Sequence, residues 1–121
     1  MNKKVAVFLL LLALPALAFS QSHLSLSHFG GINDLNFDPA RGLLFSAGED
    51  GTVRIWDTRE GRLYGVVRIS HKPVREIAVH PIEPYIAVLV GDQLQTDVLE
   101  VWNWQRRQRM YSIESEKQLM H

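Results

Sequence analysis

Residues 46–57 read SAGEDGTVRIWD. Val53 and Ile55 alternate with polar neighbours, the period-two pattern of a strand with one buried face, and the Gly-flanked acidic pair before them is a hairpin turn. Ser46 ends one apolar run and Trp56–Asp57 ends the next, so the stretch joins two antiparallel strands. It holds a hydroxyl, an acid and an indole at fixed positions. Whether these three build a site or a scaffold decides the reading of the whole chain.

The surrounding sequence repeats. INDLNFDP (32–39) overlays VREIAVHP (74–81) at an offset of 42, pairing Ile32 with Val74, Leu35 with Ile77, Phe37 with Val79 and Pro39 with Pro81. TVRIWD (52–57) overlays VLEVWN (98–103) at an offset of 46, pairing Val53 with Leu99, Ile55 with Val101 and Trp56 with Trp102. The growth in offset places a four-residue insertion within about 91–97, opposite the first copy's turn GEDG. Short alternating runs bounded by Gly, Pro and Asp predict four strands per copy, at 32–37, 43–47, 52–57 and 62–68, then 74–79, 84–90, 98–103 and 109–113. No window after the leader reads as a helix.

A four-stranded unit recurring every ~40–45 residues and closed by Trp-Asp resembles the WD-repeat family. The match covers nearly all of the chain beyond its leader. It is most specific in the first copy, where Ser46, Asp50 and Trp56 keep the family's order. In the second, Asn103 stands for Asp57, Val88 for Ser46, and Asp92 or Asp97 for the turn acid. The resemblance implies an all-β fold of β-propeller blades: two four-stranded antiparallel blades, about 28–68 and 71–113, with an N-terminal closing strand within 23–28 and an incomplete ring. It also implies a buried hydrogen-bond chain through His28, Ser46, Asp50 and Trp56, with His71 and Trp102 as second-repeat counterparts. Ser27 departs from the family's usual Gly before the His.

The chemistry of these four groups suits such a chain. An indole N–H only donates, a hydroxyl and a neutral imidazole do both, and a carboxylate accepts. Ser, His and Asp are also the residue types of a hydrolytic triad. A nucleophilic serine, however, needs exposure on a strained strand-to-helix turn and an oxyanion hole, whereas Ser46 sits inside the apolar run LLFSAG. The sequence therefore predicts a scaffold with no catalytic residues. On this reading Trp56→Ala destabilises the fold far more than Trp104→Ala.

No cofactor is expected. His23, His28, His71 and His80 lack a compact ligand spacing, and the chain has no Cys to join them in a metal site or to form a disulfide. EDG with Asp57 lacks the spaced ligands of a calcium loop. Arg106, Arg107 and Arg109 cluster between the last two strands and read as a solvated hairpin. Trp102 and Trp104 are assigned to one strand face, packed against a neighbouring blade.

At the N-terminus Lys3 and Lys4 precede an apolar run over 5–14, Pro15 breaks it, and ALAFS follows with small residues. This predicts a signal peptide over 1–20, cut after Ala18 or after Ser20, and a periplasmic or secreted protein. The run is too short for a membrane span of ~20 residues. Of the 13 Lys and Arg, Lys3 and Lys4 leave with the leader, so 11 stand against 13 Asp and Glu, a formal charge of −2. Nothing in that balance steers the chain to nucleic acid.

HLSLSH (23–28) alternates without a local partner strand, as in propellers whose first strand completes the last blade. Residues 114–121 fall where a third repeat would start, so the sequence reads as the first part of a longer propeller. Protein or peptide partners are expected. Open alternatives are an exported enzyme whose catalytic domain follows the propeller, and a short protein that completes a ring by self-association through its uncovered blades.

Overall fold

A computed structural model of the chain describes residues 28–92 and 97–114. The expected leader over 1–20, most of the expected strand at 23–28 with His23 and Ser27, the insertion at 93–96 and residues 115–121 lie outside the described residues.

The described chain folds as eight strands in two antiparallel sheets. Blade 1 contains β1 (Ile32–Asp38), β2 (Leu43–Gly48), β3 (Thr52–Asp57) and β4 (Arg62–Arg68), hydrogen-bonded in that order. Blade 2 contains β5 (Val74–Val79), β6 (Tyr85–Val90), β7 (Val98–Asn103) and β8 (Gln108–Glu114), likewise in order. The described residues include no helix, and their two sheets do not close a ring. The strand boundaries agree with the alternation pattern to within a residue, and Glu114 completes β8.

The repeat extends to the irregularities. β4 carries an extra residue, Tyr64, opposite the Ile55/Trp56 step, and β8 carries Met110 opposite Val101/Trp102, 46 positions on. β1 and β5 carry Asn33 and Arg75 in the same way, 42 positions apart. Each bulge shifts the register by one residue, which bends the strand and sharpens its twist at the same place in both blades.

One core joins the two sheets. The face of blade 1 bearing Phe45, Ala47, Val53 and Ile55 packs against Ile77, Ile86, Val88 and Val90 of blade 2. The sheets approach most closely where β5 lies against β1 and β2. Trp104, in the turn after β7, fills the widening gap, meeting Phe45 edge-on at 5.5 Å and Tyr64 at 6.2 Å. Only 3 % of Trp104 is exposed, whereas Trp56 is half-buried. Trp102 and Trp104 both pack into this inter-blade core, as expected, but β7 ends at Asn103, so Trp104 reaches blade 1 from the turn and not from the strand.

Side chains of blade 1 also hold the backbone of blade 2. Asp34 Oδ2 accepts from the Ile77 N–H at 3.0 Å, and Asn33 Nδ2 donates to the Val74 carbonyl at 3.0 Å. At the other end of the strands Arg41 donates to the carbonyls of His80 (3.1 Å), Ile82 and Glu83 (3.0 Å). Its guanidinium is tied to Asp38 and lies 5.6 Å over the Trp104 ring.

On the far side of blade 2, Ala78, Ala87, Val101 and Tyr111 form a row across the four strands, with Leu89, Leu99 and Ile113 beside it. This face corresponds by the repeat to the one blade 1 presents to blade 2. Leu99, Tyr111 and Ile113 on it are exposed.

Candidate functional site

β2 is buried on both faces. Its even-numbered side chains, Leu44 and Ser46, turn away from blade 2 toward Leu35, Phe37 and Trp56. Gly48 continues that face without a side chain, and there His28 lies flat on the strand. A Cβ at Gly48 would sit 2.1 Å from His28 Nδ1. The bare backbone is what admits the imidazole.

The four marked groups meet in one line. The Trp56 indole donates to Ser46 Oγ at 3.0 Å, His28 Nε2 lies 2.7 Å from that oxygen, and His28 Nδ1 lies 2.9 Å from Asp50 Oδ1. With the imidazole proton on Nδ1 the line closes: indole to hydroxyl, hydroxyl to Nε2, Nδ1–H to carboxylate. Every member uses a group of the right kind, as a buried network requires. Thr52 belongs to the line as well. Its hydroxyl donates to Asp50 Oδ1 at 2.7 Å and lies 3.0 Å from His28 Nδ1. Sequence reasoning passed over Thr52, although a turn Asp commonly accepts from the backbone two residues on, as Asp50 Oδ1 does from the Thr52 N–H at 3.2 Å.

Asp50 is the electrostatic centre. Burial pushes its carboxyl up, but the Phe29 backbone N–H (2.9 Å) and the His28 and Thr52 hydrogen bonds outweigh it, and its pKa falls to about 2. A depressed carboxylate stabilises the folded state above its unfolded value near 4, and the contribution disappears as pH falls through the folded value. From pH 5 to pH 2 the unfolding free energy of the wild type should therefore drop by about 2 kcal/mol more than that of Asp50→Asn. Denaturant titrations across that range measure it. Parallel pH profiles for the two proteins would contradict the assignment.

Blade 2 does not repeat this line. Val88 stands at the Ser46 position, and the Trp102 indole instead donates to Glu100 Oε1 at 2.7 Å, two residues back on the same strand. Glu100 is buried, and its other oxygen lies 3.8 Å from Arg109. His71 is exposed and has no hydrogen bond to Trp102. His71 and Trp102, the second-repeat counterparts of His28 and Trp56, are thus not joined in a comparable line. Without a hydroxyl to bridge them, an imidazole on this side gains nothing from burial, and the i, i+2 carboxylate satisfies the indole. Of the two candidate turn acids, Asp97 accepts from Arg75 at 3.0 Å, and Asp92 lies with Asn33, Glu49 and Arg75 around a separate depression between the blades.

Ser46 is 0 % exposed, and its oxygen is shared between Trp56 and His28. No cluster of His, Asp and Glu able to hold a metal occurs among the described residues. The second recess is a cleft of about 350 Å³ between the blades, walled by Tyr64 and Trp104.

Two repeated four-stranded sheets, the first locked by an indole–hydroxyl–imidazole–carboxylate line, define WD-repeat propeller blades. The chain belongs to the family described as an N-terminal beta-propeller domain, whose model matches residues 15–118. The fold is similar to the crystal structure of RRP9 WD40 repeats, with a TM-score of 0.63 at 22% identity, covering 75% of this chain and 28% of that one. Among curated proteins, the ribosome biogenesis protein BOP1 homolog of Caenorhabditis elegans is 37% identical over 87 residues, covering 60% of this chain and 13% of its own length. The serine-threonine kinase receptor-associated protein of Gallus gallus is 46% identical over 39 residues, covering 32% of this chain and 11% of its own length. The chain spans only about a tenth of the length of these curated relatives.

Proposed function

We propose that this chain is an exported, non-enzymatic WD-repeat protein that acts as a rigid platform for protein partners. The observation that carries the non-enzymatic part is the burial of Ser46 and His28 in a line, ended by the half-buried Asp50, whose hydrogen bonds are spent on one another. A serine held between an indole and an imidazole and closed to solvent has no position for a scissile carbonyl. The fold favours partner binding, since a propeller blade presents loops on a stiff sheet. A relative named for its association with a kinase receptor supports the same reading. The exposed face bearing Leu99, Tyr111 and Ile113 suits a further blade, from the same chain or from another copy.

Export rests on Lys3, Lys4, the apolar run and ALAFS. Expression followed by mass spectrometry of the fraction outside the cytoplasmic membrane should find a chain beginning at Phe19 or Gln21. Intact Met1 in the membrane fraction would refute export. Cross-linking of the exported protein should then capture protein partners in defined ratio to it, and their absence would refute the platform reading.

A further inference from the structure

The cleft between the blades exists because Gly65 has no side chain. Gly65 faces Ile55 across β3 and β4, and the residue 46 positions on, facing Val101 in the same register, is Tyr111. With hydrogen in place of a phenol ring, Ile55 and Gly65 form a floor, Tyr64 and Trp104 form walls, and Gln105 and Arg107 form the rim. A Cβ at Gly65 would meet only the end of the Arg107 side chain, at 3.3 Å.

Three features of the cleft point to its occupant. The Trp104 indole N–H is buried and has no hydrogen-bond partner among the described residues, so a desolvated donor is left uncompensated. The rim carries Arg107, which is exposed and forms no ion pair with the described residues; its neighbour Arg106, just outside the cleft, is likewise exposed and without one, whereas Arg109 is engaged by Glu100. Finally, β4, which supplies Tyr64, Gly65 and Val66 to the cleft, is an edge strand of its sheet among the described residues. An edge strand offers main-chain donors and acceptors to another extended chain.

We propose that this cleft binds an extended acidic peptide segment of a partner protein. An apolar side chain of the peptide fills the space above Gly65, a main-chain carbonyl accepts from the Trp104 indole, and carboxylates pair with Arg107 and Arg106. Tyr64, 55 % exposed and edge-on to Trp104, swings outward on binding to open the path to the indole N–H. A small anion would use the arginines but neither the apolar floor nor the strand edge. A nucleic-acid strand would need a longer track of cations than two arginines provide. This inference deepens the platform reading and rests on it.

The test uses the full chain and three labelled decapeptides, each with a central Leu flanked by Asp, by Ser or by Lys. Fluorescence anisotropy should show saturable binding of the Asp peptide alone. In ¹⁵N spectra one indole N–H signal should move downfield with it, and Trp104→Phe, which keeps the packing and removes the donor, should abolish that shift. Arg107→Glu should weaken the Asp peptide by roughly tenfold or more and improve the Lys peptide. Gly65→Val should block binding by filling the floor. Absence of saturable binding, equal binding of the three peptides, or indifference to Arg107→Glu would overturn the proposal. If cross-linked partners persist in Gly65→Val while the peptides fail, the cleft is refuted and the platform stands. If no partner is captured at all, the platform itself fails.

Discussion

Gly51→Ala should abolish the cooperative unfolding transition or lower stability by at least about 3 kcal/mol, whereas Gly31→Ala should change it by no more than about 0.5 kcal/mol. Gly51 has φ of +78°, a left-handed conformation that costs an L side chain about 1–3 kcal/mol. The steric cost is larger still. A Cβ there would stand 1.9 Å from the Ser70 carbonyl oxygen and 2.9 Å from that of Lys72. Both belong to the link between the blades, which is fastened to the same glycine because Ile69 N–H (2.9 Å) and Ser70 N–H (3.1 Å) donate to its carbonyl. Moving the link aside would break these bonds and displace Val74 at the start of β5. Gly31 offers open space and an ordinary φ. Chemical denaturation of both variants measures the difference, and similar midpoints would show that the link is not anchored at Gly51.

Trp104→Ala should cost about 3–5 kcal/mol, at least as much as Trp56→Ala. This reverses the order expected from sequence. Trp104 is the plug between the sheets, in contact with Phe45, Tyr64 and the Arg41 guanidinium, so its removal opens a cavity across the interface that a second sheet cannot collapse to fill. Trp56 is half-buried on one blade and leaves a smaller void. Phenylalanine variants separate packing from polarity. Trp104→Phe loses no hydrogen bond and should cost about 1 kcal/mol, while Trp56→Phe removes the donor to Ser46 and should cost about 1–2 kcal/mol. Thermal melts of the four variants give the order. A larger loss for Trp56→Ala than for Trp104→Ala would restore the sequence-based expectation.

The strands were legible because each alternation ends at a Gly, Pro or Asp turn, and because the repeat allowed one copy to check the other. His28, Ser46, Asp50 and Trp56 were legible only through the spacing they share with WD repeats, since nothing local brings residues 18 positions apart into contact. Bulges were not. Tyr64 and Met110 interrupt the face pattern of β4 and β8 by one residue, a shift that depends on the partner strand. Glu100 could have been found: it lies two residues before Trp102, so both point to one face of β7, and a lone acid on an otherwise apolar face needs a donor. For Trp104 the packing against a neighbouring blade was legible, but its depth was not, because a turn residue has no fixed face until the neighbouring sheet is in place.

Asn33 and Asp34 grip the backbone of β5 while Arg41 grips three carbonyls of the next loop, and Trp104 stands between the sheets as they diverge. Together they fix the angle between neighbouring blades. The number of blades in a closed ring is a full turn divided by that angle. A change of bulk at Trp104 or of reach at Arg41 would thus alter the angle between these two sheets, and with it the size of any ring they joined, without touching any strand.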